Sequence, residues 1–199
     1  MLKKIVLALA VVLLALVAFV ALQPSAYRVA RSAAIAAPPQ VVYEQIADFR
    51  RWGAWSPWAK LDPAMAVDYG GPPMGVGATY HWKGSDKVGE GRMTIVDARP
   101  GELVAIQLDF VKPWESRTRT ELQLRPEAGG TRVSWVMSGE NDFVGKAFAT
   151  FVSMDKAIGP DFEKGLASLR AVAEEESVKA QRAAPPPSAA PGTAPAPPR

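Results

Sequence analysis

Hydrophobic and polar positions alternate with three different periods along this chain, and each period predicts a different element. Ile5–Leu22 (IVLALAVVLLALVAFVAL) is eighteen apolar residues without a charge. A helix of that length spans about 27 Å, enough for a thin hydrocarbon core. Lys3 and Lys4 precede it, which on the positive-inside rule keeps the amino terminus cytoplasmic and sends the rest to the outer side. A cleaved signal peptide is the competing reading. The run is longer than a usual signal core, and Pro24 stands where a small residue would be wanted, so the expectation is an uncleaved anchor over residues 1–26.

After the anchor the period shifts. Tyr27–Ala36 has few breakers and reads as a strand. Pro38-Pro39 open a helix in which Val42, Ile46 and Phe49 recur at helical spacing. Phe49–Ser56 predicts a second short helix, ended by Pro57. Asp62-Pro63 and Gly70-Gly71-Pro72-Pro73 are turn signals.

From Met65 the period becomes two. Met65–Tyr69, Ala78–Lys83, Val88–Ala98, Leu103–Val111, Ser116–Arg125 and Thr131–Ser138 read as strands separated by turns. Tyr80 and Trp82 share a face opposite His81. Val104, Ile106, Leu108 and Phe110 share another, as do Thr118, Thr120, Leu122 and Leu124, and Val133, Trp135 and Met137. No helix interrupts this series, which favours an antiparallel meander. Its apolar face needs a cover. The candidate is Val144–Val152 with Asp155–Glu176, which carry Phe148, Phe151, Ile158, Phe162, Leu166 and Leu169 at helical spacing. Gly159-Pro160 should break or bend that helix, and Glu174-Glu175-Glu176 should end it. The domain is thus expected over 27–177. Residues 178–199, rich in Pro and Ala, are expected to form an extended, solvated tail.

Charge changes the picture less than the totals suggest. The net charge of +3 arises outside the domain: Tyr27–Ser177 holds 18 Lys and Arg against 20 Asp and Glu. Such a body offers no electrostatic basis for nucleic-acid binding. Without cysteine there is no disulfide, thiol nucleophile or lipid anchor on a cysteine. One histidine and scattered acids give no metal cluster, and no cofactor motif stands out. Gly89-x-Gly91 opens no helix; a bulge or a close approach of strand to helix suits it better than a dinucleotide loop.

The order of strand, two short helices, six strands and a long helix, with particular residues at their places, resembles the START-like (SRPBCC) superfamily. Within it the chain looks most like the polyketide cyclase/dehydrase and lipid-transport family. The residues that carry the likeness are Pro38–Asp48 with Trp52, Trp55 and Trp58 behind it, Gly77–Trp82, Gly89-Glu-Gly91, Gly130–Trp135 and Gly165–Leu169. The resemblance covers about residues 27–176. It implies an α+β helix-grip fold: a curved antiparallel sheet of six to seven strands wrapped around the long C-terminal helix, with a ligand-sized cavity between them. Fold alone does not fix chemistry.

Three functions follow as expectations. The first is a membrane-anchored binding or carrier domain for a small apolar or amphipathic, lipid-like molecule. Its cavity-lining candidates are Trp58, Tyr80, Trp82, Met93, Ile106, Leu108, Thr120, Trp135, Met137, Phe151 and Phe162. The second is a cyclase- or aromatase-like enzyme, which needs His81, Glu90, Arg92 or Asp109 to point into the cavity. The third is a non-catalytic envelope module whose tail or tryptophan end meets a protein partner. Only Gln23–Ala26 separate anchor from domain, about 14 Å when extended, so the domain should ride close to the bilayer.

Overall fold

The structure is a computed structural model that describes residues 1–150 and 153–183. Helix α1 (Leu2–Ala21) is long and apolar enough to cross a membrane, and almost none of it is covered by the domain. Val20, at its end, is the buried exception.

Strand β1 (Ala26–Ile35) follows, then α2 (Pro39–Ala47), a 3-10 turn over Phe49–Arg51 and the short α3 (Trp52–Trp55). Pro39 opens α2, where its missing N–H costs nothing. The Asp48 carboxylate accepts the Arg50 amide and starts the 3-10 turn. Ser56, before Pro57, is extended and ends α3. Six strands then run in series: β2 (Ala66–Gly70), β3 (Thr79–Lys83), β4 (Glu90–Arg99), β5 (Leu103–Lys112), β6 (Ser116–Glu127) and β7 (Gly130–Glu140). Helices α4 (Phe143–Ala149) and α5 (Met154–Ala183) complete the described chain.

All pairings are antiparallel, in the order β1-β7-β6-β5-β4-β3-β2. The meander makes six of the seven strands sequence neighbours, and β1 closes on β7. Curvature of the sheet lets one face grip α5, which lies chiefly along β1, while α2 and α3 pack on α5. The period-two expectation holds on the inner face: Ile95, Val104, Ile106, Leu122, Leu124, Val133 and Trp135 are all buried. In β4 the register slips between Ile95 and Asp97, so Val96 and Asp97 both turn outward and the alternation blurs.

Three sequence expectations change. Helix α5 passes through Pro160 without a break. Pro160 sits in the second turn, where the only bond forgone is to the Lys156 carbonyl, and the Arg31 guanidinium against Gly159 joins this stretch to β1. The helix also outlasts Glu176. Ser177 is buried, and Lys179 pairs with Glu175 and Glu176 at helical spacing, so the helix runs on to Ala183, past the expected boundary at residue 177. Finally, the bulge expected at Gly89-x-Gly91 is present, since the β4–β5 register shifts between Glu90 and Gly91, but the close approach of Gly91 is not to the helix. A Cβ there would meet the Trp82 ring at 2.6 Å and the Asp109 carbonyl at 2.7 Å.

Candidate ligand cavity

Two halves of the inner face are filled differently. Toward the C-terminal part of α5 the core is solid. The Trp135 and Phe162 rings stack with centroids 4.3 Å apart, and Trp55 meets Trp135 edge-on at 5.6 Å. Every indole there has a partner. Trp52 Nε1 donates to the Ile46 carbonyl, Trp55 Nε1 to the Gln45 carbonyl, and Trp135 Nε1 to Thr120 Oγ1, whose hydroxyl donates to the Val136 carbonyl. The tryptophan triplet thus closes one end of the domain with Trp52 and Trp55, while Trp58 stays half-buried against Trp135 and Phe162.

Toward the start of α5 the space is left open. A cavity of about 370 Å³ lies between β3–β7, the first turns of α5 and the Trp58 turn. Trp52, Tyr80, Trp82, Met93, Leu108 and Met137 give it an apolar inner wall. Met154 and Ile158 from α5 and Val88, Pro113 and Trp114 from two strand turns surround its opening. The volume is at the lower end of the range typical of small-molecule sites, ~300–1,000 Å³.

Two polar groups stand out against this lining. Thr118 Oγ1 is, among the described residues, the buried side-chain polar atom without a hydrogen-bond partner, in a residue 6 % exposed. An orphaned buried hydroxyl costs about 1–3 kcal/mol, so its presence calls for a reason. Beside it is Tyr27. Register places Tyr27, Gly139 and Thr118 side by side across β1, β7 and β6. The phenol lies over Gly139, where a Cβ would stand 2.6 Å from its oxygen, so glycine is what allows Tyr27 to reach toward Thr118. Burial pushes the Tyr27 phenol up, and the Thr118 hydroxyl, near enough to act on the phenol but not placed to hydrogen-bond to it, offsets this only in part. Burial, helped by Tyr69, pushes the Tyr80 phenol up to about 12. Both phenols are therefore protonated at neutral pH and can give or take a hydrogen bond.

Of the residues expected from sequence, Trp58, Tyr80, Trp82, Met93, Leu108 and Met137 border this cavity. Ile106, Thr120, Trp135 and Phe162 do not. They are locked into the solid core beside it, because α3 and the later turns of α5 close over them. Phe151 lies outside the described residues. The sequence reading overlooked Tyr27, Thr118 and Trp114. Thr118 was on the correct face by alternation, but nothing in the sequence separates its unpaired hydroxyl from the paired one of Thr120.

The four groups that the enzyme reading needs in the cavity, His81, Glu90, Arg92 and Asp109, line the other side of the sheet instead. Asp68, His81, Arg92, Asp109 and Arg117 are register partners in one row across β2–β6, and they line an open depression of about 800 Å³ on the outer face. Arg117 Nε meets Asp109 at 2.7 Å, and Lys112 Nζ meets Glu90 at 3.1 Å, which holds the Glu90 carboxyl below its ordinary pKa. That depression is larger than the inner cavity, but it is shallow and open, and its Glu90, Asp109 and Arg117 are already held in ion pairs. The inner cavity, mostly apolar although Asp86, Lys87, Lys112 and Asp161 also border it, is the better candidate for a ligand.

The relatives agree with this geometry. Residues 26–174 match the family described as polyketide cyclase / dehydrase and lipid transport, and the chain belongs to that family. None of the curated proteins compared matches the chain. Solved structures share the fold at low identity. Protein CV1439 from Chromobacterium violaceum is 18 % identical with a TM-score of 0.54, covering 76 % of this chain and 99 % of its own. The Aha1 dimer from Colwellia psychrerythraea is 17 % identical with a TM-score of 0.55, covering 74 % and 96 %. Protein SA2116 of Staphylococcus aureus is 14 % identical with a TM-score of 0.58, covering 78 % and 98 %. The family and the fold define an α+β helix-grip domain of the START-like superfamily, suited to holding a ligand between sheet and helix.

Proposed function

We propose that this protein is a membrane-tethered carrier that holds one small amphipathic, lipid-like molecule in the cavity under the sheet. The observation that carries the reading is the Thr118 hydroxyl, buried without a hydrogen-bond partner in a mostly apolar cavity. A single polar atom on a ligand would satisfy Thr118 and Tyr27, while its apolar body displaces water from Tyr80, Trp82, Met93 and Leu108. The volume suits one chain or ring system rather than a whole two-chain lipid. The family description includes lipid transport, which agrees with this chemistry.

Helix α1 is the tether in this reading, with Lys3 and Lys4 in the cytoplasm and the domain on the outer side. Its last turn is engaged with the folded domain, where Val20 is buried and Lys146 Nζ donates to the Ala21 carbonyl at 3.2 Å. Those contacts favour a retained anchor over a removed signal.

The test is extraction and mass spectrometry of the full chain purified in mild detergent, followed by titration with N-phenyl-1-naphthylamine. The expected result is a co-purified amphipathic molecule, released by solvent, whose removal opens the site to the probe with one-to-one stoichiometry. A chain that carries nothing and leaves the probe dark overturns the reading.

A further inference from the structure

Three segments leave the domain at the same end. Thr118 of β6 is paired with Gly139 of β7, and Gly139 with Tyr27 of β1. Four residues before Thr118 is Trp114, four residues after Gly139 is Phe143, and six residues before Tyr27 is Ala21, the last residue of α1. The β5–β6 turn, helix α4 and the end of the apolar helix thus crowd the end of the sheet where the cavity opens.

That end is unusually apolar for a surface. Trp114 is 69 % exposed, Phe143 49 %, Val144 73 % and Phe148 52 %. Helix α4 has two distinct sides. Lys146 turns toward α1 and donates to its Ala21 carbonyl, while Val144 and Phe148, four apart, share a bare side with Phe143 at its flank. The Asp142 carboxylate accepts the Gly145 amide and fixes where α4 begins. An apolar helix face and a tryptophan beside the terminus of a membrane-length helix have the composition of an interfacial contact.

We infer that α4 and the β5–β6 turn are a second bilayer contact. Phe143, Val144, Phe148 and Trp114 enter the interfacial zone of the membrane that α1 crosses, and they turn the cavity opening toward that same bilayer. The inference rests on the reading of α1 as a tether and of the cavity as a ligand site. It adds an orientation: the ligand enters and leaves through the membrane-facing end, past Trp114, Met154 and Ile158, without crossing bulk water. Because the contact is apolar, it should respond little to ionic strength.

The chain has no cysteine, so a single introduced one is a unique reporter. Val144→Cys and Phe148→Cys report on α4. Ala128→Cys, in the turn at the far end of β6, twelve residues of strand away, is the control. Each full chain is labelled with a polarity-sensitive fluorophore and reconstituted into phosphatidylcholine vesicles. Labels at 144 and 148 should be shielded from aqueous iodide and quenched by brominated lipid, and the label at 128 should behave oppositely. The triple variant F143S/V144S/F148S should fold as the wild type does, since these side chains are exposed. It should lower the ratio of docked to undocked domains at least about tenfold, because burying one such side chain is already worth that factor. It should also slow uptake of N-phenyl-1-naphthylamine preloaded in the vesicles, while uptake of the same probe from detergent solution stays unchanged.

Labels at 144 and 148 that remain open to iodide, in a chain that still binds the probe, overturn the inference and leave the carrier reading standing. Shielding in native membranes but not in lipid vesicles also overturns it, in favour of a protein partner. A wild-type chain that never binds the probe overturns the carrier reading, whatever the labels report.

Discussion

The two halves of the space under the sheet are built from the same kinds of residue and end up in opposite states. The solid half has Trp55, Trp135 and Phe162; the hollow half has Tyr80, Trp82, Met93 and Leu108, and Trp52 stands between the two. In the solid half, α3 and the later turns of α5 close over the sheet, and every indole N–H has an acceptor. In the hollow half, the first turns of α5 offer only the half-buried Met154 and Ile158, and a hydroxyl goes unpaired. Aromatic content therefore does not mark a binding site. What marks it is a lining whose polar atom lacks the partner that a packed core would have supplied.

Truncation on the two sides is the strongest way to break that comparison. Trp135→Ala removes a stacked, fully buried ring and the donor to Thr120, and is expected to cost about 3–5 kcal/mol. Leu108→Ala, at a wall that already borders open space, should cost less than half of that and make the cavity larger. Urea denaturation of both variants decides the matter; equal losses would mean that the two halves are packed alike.

A smaller effect separates the two threonines. Thr118→Val removes an orphaned hydroxyl at nearly constant shape, and should stabilise the unliganded domain by about 1 kcal/mol. The same change should weaken a ligand that bonds to Thr118 by about tenfold. Thr120→Val, which deprives Trp135 Nε1 of its acceptor, should destabilise instead. Opposite signs in thermal melts sharpen the contrast, and equal signs would remove it.

The smallest effect at neutral pH concerns Tyr80. Its folded pKa of about 12 lies above the ordinary tyrosine value of 10.0, so its burial favours the neutral phenol. That contribution is fully present below pH 10 and is lost as pH rises from 10 toward 12. Alkaline unfolding should start in that window, together with late tyrosinate absorbance, and Tyr80→Phe should remove one tyrosine's share of the late absorbance and this part of the pH dependence.

Much of the fold was legible because it follows from local rules. Alternation in Ser116–Arg125 put Thr118, Thr120, Leu122 and Leu124 on one face, and all four are buried. Pro39 and Pro57 bounded the short helices as backbone chemistry requires. The site was legible only as a face. Tyr80, Trp82, Met93 and Leu108 line the cavity, whereas Ile106 and Trp135, on the same side of the sheet, are filled over. Period-two alternation tells which side of a sheet a residue takes, and nothing about what stands opposite it.

The sequence by itself determined the apolar N-terminal helix, the antiparallel meander, the covering C-terminal helix and the family, because each depends on short-range periodicity or on motifs in order. Three things were left to the tertiary structure. One is that α5 runs unbroken past Pro160, so that Met154 and Ile158 stand over the sheet. Another is that Gly139 lets Tyr27 lie toward Thr118 across two strand pairings. The third is that Trp114, α4 and the end of α1 gather at the mouth of the cavity. Each depends on residues from distant parts of the chain meeting through strand register and the path of one helix, and no local pattern encodes that meeting.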